Sequence, residues 1–337
     1  MDKKNNNKDN FWLSIRKPIL ALAPMAGITD SAFRQLCRKY GADVVYTEMV
    51  SADGLHFNSK KTLKLLEFSK KEKPVVVQLF GKDPEKFIKA TKIVTELGFD
   101  GIDINFGCPA KKVAGHGGGV TLMRDLDLCY QIIKNVCNNT PLPVSIKIRS
   151  SIKAKSCESK KLEVKENNKE IITALDLVKK IKDLPITTIM IHGRSYEKPF
   201  IGEIDYEMVK KVKENFKGIV LANGNITNPE IALKTLNLTN TDGLGLARGL
   251  YGKPWLFKQI KDFLKNEKYK EKTWKEIKKV ALIHTKLNQD SKSDLGMLEI
   301  RKHLLFYTKN QDRAKEMRKD LVQIKDYKTL VKIFKKY

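Results

Sequence analysis

The chain has 337 residues, enough for one large domain with a sizeable core and a smaller second domain. Its hydrophobic fraction of 41% is ordinary for a globular protein, and it has no apolar run of about eighteen residues, which excludes a membrane-spanning helix. The net charge of +26 favours a polyanionic partner.

The positive charge is concentrated near the C-terminus. Residues 253–337 hold 24 lysine and arginine residues against 11 aspartate and glutamate residues, so half of the net charge lies in the last quarter of the chain. A composition bias alone would spread the charge evenly. We expect nucleic acid rather than a membrane as the partner, because no basic amphipathic helix with an aromatic face stands out.

The five cysteines are odd in number and never occur as Cys-x-x-Cys, which argues against a zinc site and a disulfide framework. We therefore expect reduced thiols, no metal and a cytoplasmic location. Residues 1–15 begin with a lysine- and asparagine-rich stretch that has no apolar core, so we expect a disordered lead-in rather than a secretory signal.

Short apolar runs then alternate with helical patterns. Nearly continuous Val, Ile and Leu is typical of parallel strands buried on both faces. The eight runs are Ile19–Ala23, Val44–Thr47, Val75–Leu79, Gly101–Asn105, Val144–Ile148, Thr188–Ile191, Ile219–Ala222 and Gly243–Leu246. Helical spacing is found in Pro84–Leu97, Leu126–Asn138, Ile171–Ile181, Asp205–Asn215 and Thr227–Leu236. The alternation predicts an α/β TIM (β/α)8 barrel over residues 16–257.

Polar or glycine-rich residues follow every predicted strand, at the end where such a barrel has its active site. They are Pro24-Met25-Ala26-Gly27, Glu48, Gln78, Asn105 to Pro109, Lys147 with Arg149, His192-Gly193-Arg194, Asn223-Gly224-Asn225 and Ala247-Arg248-Gly249.

The mixture of groups at these strand ends indicates a cofactor. Glycine-bearing loops after the seventh and eighth strands, with Arg248 as a cation, suit a phosphate. Gln78, Asn105 and Lys147 suit the polar edges of a flat ring. Both FMN and pyridoxal phosphate carry a phosphate and a ring, and the three ring-binding groups together favour the flavin.

With those residues in place, the sequence resembles the tRNA-dihydrouridine synthase family. The similarity covers essentially the whole predicted barrel and continues into Glu299–His303 and Tyr307 of the tail. It is based on Ala23-Pro-Met-Ala-Gly-Ile-Thr-Asp30, Gln78-Leu-Phe-Gly81, Asp103-Ile-Asn-Phe-Gly-Cys-Pro109, Lys147-Ile-Arg149, His192-Gly-Arg194, Asn223-Gly224 and Arg248-Gly249.

The resemblance implies a reaction in which NADPH reduces FMN, hydride passes to C6 of a uracil ring in tRNA, and Cys108 protonates C5. It implies a cofactor site formed by Ala23, Pro24, Met25, Gln78, Asn105, Lys147, His192, Asn223, Gly224, Asn225, Ala247 and Arg248. For His192, satisfaction by the backbone is the alternative. Candidate tRNA contacts are Glu48, Lys111, Lys112, Arg149, Arg194, Arg301, Lys302 and His303. Capping of a loop is the alternative for Glu48, and solvent is the alternative partner for Arg149 and Arg194.

The residues around Cys108 agree with that role. A thiol has a reference pKa of about 8.5, so it is mostly protonated at neutral pH and can donate a proton. Gly107 and Pro109 on either side indicate a tight loop. The glycine-rich loop 110–120 that follows is either a lid that orders on tRNA or a long barrel loop with tight turns.

Three features depart from the family pattern. Ser151–Glu170 has the composition of an insertion, and we expect a solvated, disordered excursion rather than an extra RNA-binding arm. Asn225 stands where aspartate is common in the family, and Ala247 where glycine is frequent. Neither change removes a backbone N–H, so we expect the phosphate site to be retained.

Helical patterning replaces the alternation after Trp255. We expect residues 258–337 to form a small basic helical domain that binds the tRNA backbone, with Arg301, Lys302 and His303 on polar surfaces. No obligate protein partner is inferred.

Two other functions fit parts of the sequence. A small-molecule FMN oxidoreductase similar to dihydroorotate dehydrogenase would use the same barrel, but it gives no reason for the basic tail. A tRNA-binding protein without catalysis would explain the tail but not the presence of Cys108, Lys147 and Gln78.

Overall fold

Eight parallel strands form a closed barrel in the computed structural model, which describes residues 10–154 and 170–337. The first strand pairs with the second on one side and with the last on the other, so the sheet has no open edge. The described residues form ten strands: β1 (Ile19–Leu22), β2 (Val44–Ser51), β3 (Val75–Phe80), β4 (Gly101–Phe106), β5 (Val144–Arg149), β6 (Ser151–Lys153), β7 (Ile171–Thr173), β8 (Ile186–His192), β9 (Ile219–Asn223) and β10 (Gly243–Leu246). Strands β6 and β7 form a separate hairpin. The predicted TIM barrel is confirmed.

Helices lie between the strands and cover the barrel. They are α1 (Ser31–Lys39), α2 (Ala52–His56), α3 (Lys60–Lys64), α4 (Pro84–Glu96), α5 (Lys111–Ala114), α6 (Leu126–Asn138), α7 (Ala174–Lys180), α8 (Tyr206–Asn215), α9 (Pro229–Thr239), α10 (Leu256–Asn266), α11 (Trp274–Tyr307), α12 (Ala314–Leu321) and α13 (Tyr327–Lys336). Proline occupies the first turn of α4 and α9, after the capping side chains of Asp83 and Asn228. Within the described ranges, no helix combines the length and the apolar character needed to cross a membrane.

Two element boundaries differ from those predicted. Strand β2 continues through Glu48 to Ser51, with an irregular register against β3 between Tyr46 and Met49. The segment predicted as a helix from Ile171 begins as strand β7, because residues 171–173 pair with β6, and helix α7 starts only after the Thr173 cap. The predictions of disorder for residues 1–9 and for most of Ser151–Glu170, namely residues 155–169, lie outside the described residues.

An aromatic residue closes the bottom of the barrel. Residues Phe11–Ser14 form a 3₁₀ helix, and Trp12 is 1% exposed among inward-facing strand residues that include Ile19 and Tyr46. The prediction that all of residues 1–15 are disordered is therefore wrong for residues 10–15. The prediction extended disorder to Trp12 because the segment that precedes it is polar. The Trp12 side chain fills the space between the N-terminal ends of the strands.

Helix α11 consists of two antiparallel halves that meet at Ser293, whose φ of 50° and ψ of −129° are not helical. A β-carbon on Gly296 would lie 2.2 Å from the carbonyl oxygen of Asn288, so only glycine allows the halves to approach this closely. Further along, His284 Nδ1 lies 3.1 Å from the Tyr307 hydroxyl oxygen and joins the two halves.

The tail has a core of its own, formed by α11, α12 and α13 around residues such as Met317 and Leu321, and Leu36 of helix α1 packs into it. The predicted C-terminal helical region is confirmed. Its expected boundary between residues 257 and 258 falls inside α10, however, and Phe257 and Ile260 of that helix are buried in the barrel core. Helix α10 is thus the last barrel helix, and the tail begins after Asn266.

Replacing Trp12 tests the closure of the barrel bottom. We expect Trp12→Ala to lower the free energy of unfolding by about 3–5 kcal/mol, because a large buried side chain leaves a cavity. Leu13→Ala is the matched control: Leu13 is 62% exposed, and its loss should change stability by less than about 0.5 kcal/mol. Urea unfolding measures both variants, and equal midpoints for the two would contradict the packing of Trp12.

Candidate active site

A cavity of about 650 Å³, called here the central cavity, opens at the C-terminal ends of the barrel strands. The predicted site residues that line it are Ala23, Pro24, Met25, Gln78, Asn105, Cys108, Lys111, Lys147, Arg149, His192, Asn223, Ala247 and Arg248. Met49, Tyr196, Phe200 and Tyr251 line it as well and were not predicted. The alternation of strands and helices does not determine the course of the loops that bring these aromatic side chains to the cavity.

A second, more polar cavity of about 310 Å³ adjoins the first at the ends of β9 and β10, and Gly224, Asn225 and Arg248 line it. Gly224 has a φ of +126°, and a β-carbon there would lie 2.8 Å from atoms of His192 and Ile204, so only glycine fits. Asn225 has a φ of +56°, a left-handed conformation that asparagine tolerates. The predicted phosphate-binding residues are therefore brought together.

Two nitrogen-bearing side chains lie in the wall of the central cavity. Lys147 Nζ donates to the Asn223 side-chain oxygen at 3.3 Å, and burial, followed by the nearby charge of Arg149, lowers the pKa of Lys147 to about 8. Burial and the charge of Lys147 also lower the pKa of His192 far below its usual value. At neutral pH the site therefore combines a largely protonated lysine with a neutral imidazole.

A buried carboxylate fixes the side chains on the floor of the site. Asp103 is fully buried and accepts hydrogen bonds from the Ser145 hydroxyl and the Gln78 amide, both at 2.7 Å. The Gln78 oxygen in turn accepts a hydrogen bond from the Asn105 amide at 3.0 Å. Burial raises the pKa of Asp103 to about 6. Asp103 and Ser145 were not among the predicted site residues, although Asp103 opens the motif that contains the cysteine.

The same network reaches the cysteine loop. The Asn105 side-chain oxygen accepts the backbone N–H groups of Gly107 at 3.0 Å and of Cys108 at 2.9 Å. On the other side, a β-carbon on Gly119 would lie 2.7 Å from the Cys108 carbonyl oxygen, and Gly119 has a φ of +61°. At this position glycine permits close packing against the cysteine loop. Cys108 itself is half-buried, with a free thiol.

Two arginines predicted to contact tRNA or solvent are hydrogen-bonded to backbone carbonyls of protein loops. Arg149 is 3% exposed and donates from Nε to the Gly107 carbonyl at 2.8 Å, and its Nη1 lies near carbonyl oxygens of the loop after β8. Arg194 is 7% exposed and donates to the Gly202 carbonyl at 3.0 Å. The alternative of solvent as their partner is therefore wrong, because backbone carbonyls of distant loops surround the guanidinium groups, and a contact with tRNA stays a prediction.

The remaining predicted RNA contacts divide into two groups. Lys111 and Lys112 are exposed beside the central cavity, and Lys302 lies near Gly27 in the loop after β1. In contrast, Glu48 accepts the Gly27 N–H and so caps that loop.

In the tail, Arg301 Nε donates to the Ile324 carbonyl at 3.1 Å. His303 is 3% exposed, with its ring centre 5.3 Å from that of Phe33, so its predicted position on a polar surface is wrong. His303 lies on the side of helix α11 that packs against helix α1 of the barrel.

Comparison with known proteins agrees with this geometry. The family model for dihydrouridine synthase (Dus) matches residues 21–336. The chain belongs to the dihydrouridine synthase family. It is 34% identical over 309 residues to tRNA-dihydrouridine synthase B of Pseudomonas aeruginosa, covering 91% of this chain and 89% of the relative. It is also 34% identical over 288 residues to tRNA-dihydrouridine synthase B of Pasteurella multocida, covering 85% and 82% of the two chains. As a member of this family the chain is a flavin-dependent oxidoreductase, so the predicted enzyme class is confirmed.

Solved structures share the barrel. Superposition gives a TM-score of 0.54 with 6-hydroxypseudooxynicotine amine oxidase of Pseudomonas geniculata N1, at 13% identity over 73% of this chain and 47% of that one. It gives 0.52 with histamine dehydrogenase of Rhizobium sp. 4-9, at 12% identity over 88% and 50% of the two chains. The chain thus spans about half the length of these proteins, and the likeness concerns the fold.

The buried carboxylate predicts a pH dependence of stability. The pKa of Asp103 is about 6 in the folded protein and about 3.9 in an unfolded chain, so the folded state binds the proton more tightly. Its stabilising contribution is complete below about pH 4 and is lost as the pH rises through about 6. We expect the unfolding free energy of the wild type to fall by about 2 kcal/mol between pH 4 and 7 relative to Asp103→Asn.

Urea unfolding at several pH values measures this difference. The exposed Asp294→Asn is the matched control, and its stability profile should follow that of the wild type. Parallel profiles for the wild type and Asp103→Asn would contradict the assignment.

Proposed function

We propose that this protein is a tRNA-dihydrouridine synthase that reduces the C5–C6 bond of specific uridines in tRNA, with FMN as cofactor and NADPH as reductant. The observation that supports this best is the position of Cys108, which Asn105 holds in the wall of a cavity also lined by Lys147 and His192. The tRNA substrate accords with the names of the relatives from Pseudomonas aeruginosa and Pasteurella multocida.

The described residues fit FMN. The polar cavity offers Arg248 and a glycine-lined backbone to a phosphate, and the central cavity offers apolar walls with a few polar groups to a ring. When bound, FMN would supply the hydride that adds to C6 of the uracil ring. Lys147 would stabilise negative charge next to that ring, since it retains its proton at neutral pH and Asn223 orients its ammonium group.

Cys108 would supply the other hydrogen, as a proton to C5. Its backbone is fixed by Asn105 from one side and packed against Gly119 from the other, so the thiol occupies a defined place in the wall. Rigid placement favours proton transfer, because a general acid acts only within hydrogen-bond reach of the atom that it protonates. Gln78 and Asn105 are hydrogen-bonded to each other. The parts of their side chains that remain accessible from the central cavity would contact the ring.

The substrate uridine must leave its stack to enter the central cavity, because its ring has to be accessible from both faces. Lys111, Lys112 and Lys302, with the basic helical tail, would bind the tRNA backbone and so orient the molecule. The loop after β4 would act as the lid over the bound base. We place this enzyme in the cytoplasm, acting without an obligate protein partner.

An anaerobic experiment tests the proposal. The purified protein is reduced with NADPH, and unmodified tRNA, fully modified tRNA or orotate is then added while the flavin spectrum is followed. We expect rapid reoxidation by unmodified tRNA alone. Reoxidation by orotate instead would identify a small-molecule oxidoreductase. A protein that neither binds flavin nor reduces it would be a tRNA-binding protein without catalysis.

Removal of the thiol separates proton transfer from binding. We expect Cys108→Ala to retain flavin and tRNA affinity while dihydrouridine formation falls at least about 100-fold, the usual contribution of a positioned acid. Cys137→Ala, on the outer helix α6, is the matched control and should turn over as the wild type does. Mass spectrometry of the tRNA measures the product, and normal turnover by Cys108→Ala would remove the cysteine from the mechanism.

A further inference from the structure

A third cavity, called here the side cavity, lies next to the central cavity and has a volume of about 870 Å³. Lys111 and Tyr196 line both cavities, so the two meet along this edge. The other lining residues that matter here are Lys82, which follows β3, and His116 and Arg124, which follow β4. All of these loops leave the C-terminal ends of barrel strands, so the side cavity lies on the face of the barrel that carries the candidate active site.

The lining of the side cavity has one sign of charge. Lys82, Lys111 and Arg124 contribute three cations, and none of its described lining residues is a carboxylate. Within residues 10–154 and 170–337, the side chains of Lys82 and Lys111 form neither a hydrogen bond nor an ion pair. In contrast, the nearby Lys86 is paired with Asp53. Unpaired cations around a concave surface concentrate positive potential and attract anions.

Arg124 is held in place for such a role. Its Nε donates to the Lys153 carbonyl at 2.9 Å, and its guanidinium carbon lies 5.8 Å from the centre of the Tyr196 ring. No described residue bonds its two terminal nitrogens. A guanidinium held by a hydrogen bond and by a cation–π contact with an aromatic ring is restricted in orientation and loses little entropy when it binds an anion.

The glycine loop does not bind an anion through its backbone. The N–H of Gly117 donates to the Ala114 carbonyl and that of Gly118 to the Val113 carbonyl, both at 3.0 Å. The charge of the side cavity therefore comes from side chains. Gly117 has a φ of +81°, which favours glycine, and the alkyl part of Lys82 lies beside it, since a β-carbon there would be in ordinary contact with Lys82 Cδ at 3.4 Å. Side-chain cations on an open surface are suited to binding a phosphodiester group of a nucleic acid strand that passes through the side cavity.

We propose that the side cavity binds a backbone phosphate of the RNA strand next to the uridine that enters the central cavity. This inference rests on the proposed function, because an extruded uridine carries its flanking phosphates to the rim at Lys111. The phosphates of a nicotinamide dinucleotide share this chemistry. The open shape, the rim shared with the central cavity and the presence of Tyr196 in the lining favour a nucleic acid strand, which is bound by basic grooves with interleaved aromatic residues.

Charge-neutralising variants of the flavin-loaded, full-length protein test the proposal. They are Lys82→Gln, Arg124→Gln and the double variant, with Lys217→Gln as the matched control. Lys217 is an exposed lysine just before β9, at the opposite end of the barrel. The dissociation constant of unmodified tRNA is measured at several salt concentrations. We expect weaker binding and a slope of log affinity against log salt that is shallower by about 0.7 for each phosphate contact removed. The control should retain the wild-type slope.

Lys82→Gln removes no described hydrogen bond, so it remains informative if Arg124→Gln disturbs the loop. The rate of flavin reduction by NADPH is measured in parallel and should not change. Wild-type slopes in Lys82→Gln and in the double variant would overturn the proposal. Slower reduction by NADPH with unchanged tRNA affinity would also overturn it, by assigning the cavity to the dinucleotide. A wild-type protein whose reduced flavin is not reoxidised by tRNA would instead refute the proposed function.

Discussion

Closure of the parallel barrel is the constraint on which the rest of the structure depends. Because β1 pairs with both β2 and β10, all eight strands end at one rim. Cys108 follows β4, Lys147 lies near the end of β5, and His192 and Asn223 end β8 and β9, so closure of the barrel brings them around one cavity. The opposite end needs no such residues, and Trp12 fills it. Chemistry and stability are thus separated along the barrel axis.

A single buried hydrogen-bond network links the floor of the cavity to the cysteine loop. It runs from Ser145 through Asp103 and Gln78 to Asn105, whose oxygen receives the N–H of Cys108. These partners are all protein groups, so the orientation of the amides is determined before any ligand arrives. A preorganised site of this kind avoids the reorganisation that would otherwise accompany the reaction.

Asp30 links the C-terminal tail to the loop that lines the central cavity. Asp30 ends the loop after β1 that lines the central cavity, and its carboxylate caps helix α1. It also accepts hydrogen bonds from Lys292 at 2.9 Å and Asn288 at 3.2 Å, both in α11. Burial alone would raise the pKa of Asp30, but the ammonium group of Lys292 holds it well below its usual range. The basic tail is therefore joined to the barrel through an ionised contact close to the site.

The sequence by itself determined the eight strands, the polar residues at their ends and the family, because continuous apolar runs and strand-end motifs are local features of the chain. Tertiary structure decided which polar side chains are buried. Arg149 and His303 look like surface cations in the sequence, yet distant loops and helix α1 enclose them. Asp103 acquires its role only from Ser145 and Gln78, on neighbouring strands. Burial and hydrogen bonding of a polar group depend on residues far away in sequence, which no local pattern specifies.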